Sequence, residues 1–297
     1  MVETLKNLAV IILNYNSSKL SINATKNILN LKTGAKVIVV DNGSTDNSQE
    51  ILSKELGNLN EVIIKIAELN KGYAAGNNIG IHVAEKLDVD TILIMNPDIE
   101  VPNAHILYEM YDCLAKNNDI GMVTVKTIFN GAVREPNECA WKFMTPGYMM
   151  FGGTILGKIF IKPKFLKNED CNEKITYVDV VQGCFFMIRM QNIQMVDYLD
   201  ENTFLYTEES ILAKRLEKIE KKNAVLTKFY IKHNHCEKNK RLVKYENKLF
   251  DMKCFYESRM YYVDNYSMKS SFFCVVAKLI LNFDFMLKRV ALTIRAK

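Results

Sequence analysis

The sequence lacks the local signatures that mark several common classes of protein. Its seven cysteines include no Cys-x-x-Cys pair, and such an odd, dispersed set predicts free thiols in a reducing compartment, not disulfides or a zinc site. Neither G-x-G-x-x-G nor G-x-x-x-x-G-K-[ST] occurs, which excludes the dinucleotide fingerprint and the P-loop. The sequence also has no internal repeats and no low-complexity tracts.

Signals for secretion or for crossing a membrane are missing as well. The start, MVETLKNLAVIILNY, has no basic n-region and no cleavage site, and its apolar stretch is too short for a signal peptide. Near the other end, charged residues interrupt the apolar run at about residues 271–296 too often for a membrane span. We therefore expect a cytoplasmic protein.

Charge is unevenly distributed along the 297 residues. Residues 237–297 hold 13 Lys and Arg against 6 Asp and Glu, whereas the rest of the chain has 26 against 28. Nucleic acid, an anionic membrane and plain solvent are all compatible with such a basic segment. Nucleic acid is the weakest of the three, because the segment has few exposed stacking aromatics at a regular pitch. We expect a catalytic domain over residues 1–236 and a basic helical extension over 237–297.

Apolar runs alternate with helical patterns over the first 125 residues, which predicts a mostly parallel α/β sheet with helices on both faces. From Lys126 to Lys174 the pattern loosens into loops and short strands. The predicted strands are Leu8–Leu13, Lys36–Val40, Glu61–Ile66, Thr91–Met95 and Ile120–Val125, and the predicted helices are Lys19–Leu31, Asn47–Leu56, Tyr73–Leu87 and Ala104–Lys116.

The last predicted helix, at about Ser271–Ala296, is amphipathic. At 100° per residue its apolar side chains form one arc without charge. An interfacial helix on a membrane and a helix packed on the protein's own core fit this pattern equally well. The arc consists of Phe272, Val276, Leu279, Ile280, Phe283, Met286, Leu287, Val290 and Ile294.

Polar residues follow four of the predicted strands. Each group alone suits a turn or a helix cap, but four such groups at one edge of a parallel sheet predict a ligand site. They are Asn14-Tyr15-Asn16, the segment DNGSTDNS that begins at Asp41, the segment ELNKGYAAGNNIGI, and Asn96-Pro97-Asp98.

Seven motifs in a fixed order carry a family resemblance over about Leu8 to His235. The sequence resembles the family-2 inverting glycosyltransferases, especially their bacterial rhamnosyltransferase-like branch. The resemblance implies the GT-A fold, a Rossmann-like α/β domain that binds a nucleotide-diphosphate sugar at its strand ends. The motifs are ILNYNSS, VVDNGSTDNS, NKGYAAGNNIGI, LIMNPDIEV, VQGCFFMIR, FLYTEESIL and IKHNH.

The resemblance assigns roles in nucleotide binding. Asp41 is expected to accept the N3–H of a pyrimidine, because a carboxylate offers only acceptors. Asn14 and Tyr15 would border the base. Asn70, Gly72 and Asn77 would line the ribose and the diphosphate, with the glycine allowing close approach of the backbone. Asn96 is neutral where some relatives have a second carboxylate in the metal motif, and it joins this nucleotide set.

The remaining roles concern the metal, the base and the sugar. Asp98 and His233, with His235 in reserve, are the expected ligands of Mn²⁺ or Mg²⁺. Glu209 matches the general base, although the family usually has aspartate there, and Glu208 is the alternative. Gly183 and Cys184 would lie under the donor sugar, where Cys184 acts as a small apolar residue and not as a nucleophile.

We therefore expect an inverting transferase that moves a sugar from a UDP or dTDP donor to a lipid-linked or surface glycan. Two alternatives stay open: a sugar nucleotidyltransferase, and a catalytically weak nucleotide-binding partner in a glycan assembly complex. The first is disfavoured because LNYNSSKL has no glycine-rich loop for a triphosphate. Peripheral attachment to the inner face of the plasma membrane and self-association into a homo-oligomer are also left open, and the sugar is not readable.

Overall fold

A computed structural model describes residues 4–129, 132–133, 139–160, 174–234, 245–267 and 269–296. His235 and the expected domain boundary at 236 and 237 lie outside these residues. The strands are β1 (Leu8–Asn14), β2 (Lys36–Asp41), β3 (Val62–Ile66), β4 (Thr91–Met95), β5 (Ile99–Glu100), β6 (Ile120–Phe129), β7 (Ala132–Val133), β8 (Ala140–Trp141), β9 (Ile175–Val178), β10 (Val180–Val181), β11 (Phe185–Arg189) and β12 (Lys222–His233).

Helices connect most of these strands, and four of them match the predicted helices to within two residues at each end. The bounds are α1 (Ser18–Asn30), α2 (Ser48–Leu56), α3 (Tyr73–Glu85), α4 (His105–Lys116), α5 (Pro146–Phe151), α6 (Ile155–Phe160), α7 (Met190–Met195), α8 (Glu208–Lys218), α9 (Tyr245–Tyr266) and α10 (Ser271–Ala296). The short helices α5 and α6 lie in the segment that was predicted to contain only loops and short strands.

The main sheet has the order β3-β2-β1-β4-β11-β6-β12-β5 and is mostly parallel. Strands β1 to β4 pair in parallel, and β6 and β12 run in the same direction. Their residues are β-branched or apolar because helices cover both faces of the sheet. In the register of β1 and β2, Asn14 lies opposite Asp41, so two of the polar strand ends are adjacent.

Alternate residues of each strand supply the cores on the two faces. Helices α1, α2 and α4 cover one face, where Val10 and Ile12 point, and α3, α7 and α8 cover the other, where Ala9 and Ile11 point. Small residues bring α3 close to the sheet, since a Cβ at Gly80 would lie 2.5 Å from Cγ2 of Ile11.

Two strands from the second half of the chain complete the binding edge. Strand β11 inserts between β4 and β6 and is antiparallel to both. The long strand β12 pairs with β6 and then with β5, where His233 lies opposite Ile99. These pairings place the segments before β11 and at the end of β12 beside the Asn96-Pro97-Asp98 strand end.

Helices α9 and α10 form an antiparallel hairpin that packs on the α/β part of the chain. Contacts of Tyr245 with Thr293 and of Asp264 with Lys278 define the antiparallel order. A third core cluster joins this hairpin to α5 and α8, with Met149, Ile211 and Tyr262 among its members. Along the described part of the chain, no helix combines the length and the hydropathy needed to cross a bilayer.

Candidate active site

Asp41 is the last residue of β2, and its carboxylate accepts four hydrogen bonds. Its Oδ2 accepts from Asn14 Nδ2 at 2.7 Å and from the Ser44 hydroxyl at 2.6 Å. Its Oδ1 accepts from the Ser44 backbone N–H at 2.9 Å and from Gln49 Nε2 at 3.2 Å. A carboxylate has about four acceptor positions, so all are in use and the residue is fully buried. A nucleobase would have to replace one of these donors.

At the neighbouring end of β1, Asn14 is buried and supports the turn, whereas Tyr15 is exposed. Asn14 is fully buried, donates to Asp41 and Ser44, and accepts from the hydroxyls of Ser17 and Ser21. Every polar atom of the Asn14 side chain is engaged in the turn, and its place beside the base stays a prediction. Tyr15 is 44% exposed and lies free to stack on a planar ligand.

Asn70 and Gly72 form a turn that is braced from within the protein. The Asn70 Oδ1 accepts from the Gly72 N–H at 2.9 Å and from Asn42 Nδ2 at 3.0 Å. Gly72 has φ +101°, and a Cβ there would lie 2.4 Å from the Phe204 carbonyl oxygen. The glycine is thus required by close contact with the segment before α8. The expected approach of a diphosphate to Gly72 stays a prediction.

Asn77 does not reach the binding edge. Its side chain is fully buried on α3, and its Nδ2 donates to the Tyr73 carbonyl at 2.9 Å. Its Oδ1 has no hydrogen-bond partner among the residues that the structure describes. Helix packing separates the amide from solvent, and the assignment of Asn77 to the ribose or diphosphate stays a prediction.

Asp98 and His233 are brought together from positions 135 residues apart. Pairing of β5 with β12 places His233 Nε2 3.1 Å from Asp98 Oδ2. The Asn234 N–H donates to the Asp98 carbonyl at 2.8 Å and fixes the strand end. Both side chains are 15% exposed, which leaves an edge of each accessible from outside.

The chemistry of this pair fits a divalent metal. The 3.1 Å between His233 Nε2 and Asp98 Oδ2 is a hydrogen-bond distance, and a bound ion would take the place of that contact. Carboxylate and imidazole together suit Mn²⁺ better than Ca²⁺. No group of three or more His, Cys, Asp or Glu side chains with metal-binding geometry occurs among the described residues, so phosphate and water oxygens would complete the coordination.

Glu208 and Glu209 begin α8 directly after a strained turn. Tyr206 and Thr207 both have left-handed backbone conformations, with φ values of +76° and +66°. Non-glycine residues adopt this region rarely, and such strain concentrates at functional sites. The turn fixes the direction in which the two carboxyl groups point.

Burial raises the pKa of both carboxyl groups. For Glu208, desolvation is the larger cause and the neighbouring Glu209 adds to it, whereas for Glu209 desolvation alone raises the pKa. The Glu208 Oε1 is buried and finds no hydrogen-bond partner within the described chain. A carboxyl group with a raised pKa is a stronger proton acceptor once it is ionised.

Glu209 lies over Gly183, which the sequence assigned to the donor sugar. A Cβ at Gly183 would stand 3.4 Å from the Glu209 Oε2. Cys184 packs against the core, and burial followed by the nearby Asp98 raises the pKa of its thiol well above the ordinary range. The expectation that this thiol is not a nucleophile is consistent with that raised pKa. The Asn96 N–H donates to the Cys184 carbonyl at 2.8 Å and joins the two strand ends.

Tyr73 belongs to this site although the sequence did not single it out. Its hydroxyl donates to the Gly183 carbonyl at 2.7 Å, and its backbone N–H donates to the Phe204 carbonyl at 2.9 Å. One residue therefore ties the Gly72 turn to both the Gly183 turn and the segment before α8. The aromatic residue at the start of α3, in NKGYAAG, was the signal available.

The predicted residues thus fall into two groups along one sheet edge. The first surrounds Asp41 and includes Tyr15, Asn70 and Gly72. The second brings together Asn96, Asp98, Gly183, Cys184, Glu208, Glu209 and His233. Asn14 and Asn77 lie beneath the edge as buried supports.

A mixed, mostly parallel sheet with flanking helices and this edge of strand ends is the GT-A type of architecture. The sequence profile described as "Glycosyl transferase family 2" matches residues 9–193, which is more than half of the chain. The chain belongs to glycosyltransferase family 2 and is an enzyme of that family.

Known proteins of this kind share sequence and fold with the chain. It is 28% identical over 207 residues to the "Low-salt glycan biosynthesis hexosyltransferase Agl10" of Haloferax volcanii, covering 69% of this chain and 60% of the relative. The match thus spans less than two thirds of that relative's length.

Solved structures show the same fold at low identity. The mannosyltransferase PcManGT of Pyrobaculum calidifontis, in complex with GDP-Man and Mn²⁺, superposes with a TM-score of 0.59 at 11% identity, over 97% of this chain and 73% of that one. GalNAc-T7 with UDP, GalNAc and Mn²⁺ gives a TM-score of 0.58 at 14% identity, over 76% and 43%.

Proposed function

We propose that the protein transfers a sugar, with inversion, from a nucleotide-diphosphate donor to a hydroxyl group of a lipid-linked or surface glycan. The observation that carries this proposal is the arrangement around Gly183. Glu209 lies on one side of that turn, and Asp98 with His233 lies at the adjacent strand end. An inverting displacement requires a proton acceptor on one side of the sugar and a charge-neutralising site on the other.

Glu209 acts as the general base in this proposal. It faces Gly183, whereas Glu208 is 6% exposed and points into the protein. Glu209 takes the proton of the acceptor hydroxyl as the oxygen attacks the anomeric carbon, and the nucleotide diphosphate leaves from the opposite side. Tyr73 holds the Gly183 turn at a fixed distance from this carboxylate through its hydroxyl group.

Asp98 and His233 are the residues that hold Mn²⁺ or Mg²⁺ in this proposal. Such an ion neutralises charge that develops on the departing diphosphate. The expectation of a metal is supported by the proximity of a carboxylate and an imidazole at this strand end and by the Mn²⁺ named with the two structural relatives.

Asp41 selects the base of the donor by exchanging a hydrogen bond. The Gln49 amide, at 3.2 Å, is the longest of its four contacts, and we propose that a ring N–H of the donor replaces it. Uracil and thymine present such an imide N–H, and guanine has an equivalent donor at N1. Adenine has an acceptor at that ring position, so Asp41 discriminates against adenine nucleotides. Tyr15 stacks against the ring.

Several finer properties belong to this proposal. Membership of the rhamnosyltransferase-like branch rests on the motif resemblance, and the curated relative is by its name a hexosyltransferase. Cytoplasmic location, attachment at a membrane surface and a homo-oligomeric state are proposed with it. The alternative of a nucleotide-binding partner without catalysis is disfavoured because both Asp98 and Glu209 are present.

A differential thermal-shift screen followed by donor hydrolysis tests the proposal. We expect UDP, dTDP or GDP to raise the melting temperature in Mn²⁺ and not in chelator, and ADP to have no effect. The matching nucleotide sugar should then be hydrolysed slowly without acceptor. A protein that no nucleotide diphosphate stabilises in the presence of metal is not such a transferase.

A further inference from the structure

Seven of the nine residues of the apolar arc of α10 are exposed to solvent, and Val276 and Ile280 are half-buried. Phe272 is 79% exposed, and Phe283 and Ile294 are 64% and 69% exposed. From the first to the last of these residues the helix rises about 33 Å. Most of this arc therefore does not pack on the protein's own core in this structure, and α10 turns its other side to α9. The exposed set is Phe272, Val275, Leu279, Phe283, Met286, Leu287, Val290 and Ile294.

A second element adds to this apolar surface. The first turn of α6 lies against the middle of α10, because the Ile155 N–H donates to Asp284 Oδ1 at 2.8 Å. Lys288 also donates to the Gly153 carbonyl at 2.6 Å. Ile155 and Leu156 are 44% and 53% exposed at this junction. We name the exposed residues of α6 and α10 together the α6–α10 face. Exposed apolar residues gathered in this way mark an interaction surface.

The charged residues near the α6–α10 face indicate which kind of partner covers it. Helix α10 contains one acidic residue, Asp284, which is buried with Tyr256 and Lys288. Arg289 is exposed beside the stripe, and the chain from 237 onward has an excess of seven basic residues. A second copy would bring more basic charge to this face, because the acidic Asp264 and Asp284 beside it already pair with Lys278 and Lys288. An anionic lipid surface complements both the apolar stripe and the basic border.

Helix α9, which packs on α10, also holds α5 and the segment just before Glu208 and Glu209. Buried Arg259 of α9 donates to the carbonyls of Tyr148, Met149 and Gly152, which closes the end of α5. The Ser258 hydroxyl donates to the Leu205 carbonyl at 2.7 Å, two residues before the left-handed turn at Thr207. The α6–α10 face and the Glu209 carboxylate are thus parts of one packed unit.

We propose that the α6–α10 face docks in the headgroup region of an anionic membrane and holds the active site beside a lipid-linked acceptor. The acceptor part of this inference rests on the function proposed above. Apolar side chains enter the boundary between headgroups and acyl chains, and the exposed basic residues contact lipid phosphates. An enzyme held in this way meets its acceptor by diffusion in two dimensions.

Vesicle co-sedimentation of the full chain tests the docking. Vesicles of phosphatidylcholine alone are compared with vesicles of equal parts phosphatidylcholine and phosphatidylglycerol. The double variant Leu279→Ser/Phe283→Ser should lose at least about 10-fold in binding to the anionic vesicles, because its apolar contact area shrinks. The control Ile66→Ser/Met195→Ser removes exposed apolar residues elsewhere and should bind like wild type. Arg289→Glu should weaken binding to the anionic vesicles only.

Three results overturn the docking: no vesicle binding by wild type, equal binding by the double variant and wild type, or a dimer that only the double variant loses. The last result would assign the face to a second copy. Nucleotide-induced thermal shift, measured on the same samples, separates this inference from the proposed function. Vesicle binding without any nucleotide response defeats the enzyme proposal alone, and the reverse pattern defeats the docking alone.

Discussion

At the scale of single residues, two adjacent glutamates have different environments. Glu208 is sealed beneath the turn with an unpaired Oε1 within the described chain, and Glu209 faces Gly183. The family resemblance alone left the choice between them open. Their position after two left-handed residues gives them separate directions although they are neighbours in sequence.

Replacing Glu209 by glutamine should abolish most turnover. The variant keeps the shape of the side chain but cannot accept a proton, so kcat should fall at least about 10²-fold with donor binding unchanged. The matched control is Glu217→Gln on the exposed side of the same helix, which should retain activity. If Glu208→Gln shows the loss while Glu209→Gln stays active, the two roles are exchanged.

Turnover should depend on pH through this carboxylate. Burial raises the pKa of Glu209, and the base works only when it is ionised. Activity should therefore fall as the pH drops through that raised pKa, with a midpoint above the value of about 4.3 for a free glutamate. The measurement is the acid limb of kcat against pH. An acid limb with its midpoint at the pKa of a free glutamate would contradict the buried environment of Glu209.

Asp41 should discriminate between bases. Asp41→Asn keeps the size of the side chain but turns one acceptor into a donor, and nucleotide affinity should fall by about 1.5–3 kcal/mol. Isothermal titration with UDP, GDP and ADP measures the change. Asp46→Asn is the control in the same loop, since Asp46 is exposed and its Oδ1 accepts only from the nearby Ser48 N–H among the hydrogen bonds described. Equal affinity of the wild type for ADP and UDP would show that Asp41 does not read the base.

At the scale of elements, the pairing of β5 with β12 brings together the two residues that we propose as metal ligands. Strand β5 has two residues, and its register with Lys232 and His233 is what brings imidazole and carboxylate to 3.1 Å. A shift of the register by one residue would turn His233 to the other face of the sheet. The short antiparallel strand therefore decides whether the two side chains act together.

Asp98→Asn should remove the metal-dependent part of nucleotide binding while the fold persists. Thermal shift with nucleotide diphosphate, in Mn²⁺ and in chelator, should show a difference for wild type and none for the variant. Glu100→Gln is the matched control on the same strand, because Glu100 pairs with Lys232 outside the site. If the variant still binds nucleotide more tightly in Mn²⁺ than in chelator, the metal is bound elsewhere.

At the scale of the whole molecule, the α9–α10 hairpin stabilises α5 and the segment before α8. Arg259 is 2% exposed, and burial lowers the pKa of its guanidinium to about 10. Its charge is balanced by the carbonyl groups at the end of α5. Asp200, which accepts from Arg215, Tyr261 and Tyr266, joins the same hairpin to α8.

Arg259→Gln should destabilise the protein by at least about 2 kcal/mol, because buried carbonyl groups lose their donors. Chemical denaturation measures the free energy of unfolding. The control is Arg289→Gln, whose side chain is exposed and should change stability little. Equal free energies of unfolding for the two variants would mean that the hairpin does not depend on this residue.

The sequence by itself determined the parallel half of the sheet, four of the helices, the polar strand ends and the amphipathic α10. These features follow from local periodicity and from motifs that lie within a few residues of each other. Tertiary structure decided the insertion of β11 between β4 and β6, the meeting of His233 with Asp98, and the burial of Asn14 and Asn77. It also decided that most of the apolar arc of α10 faces outward. Each of these depends on pairing or packing between segments distant in the chain, for which a single sequence has no local signal.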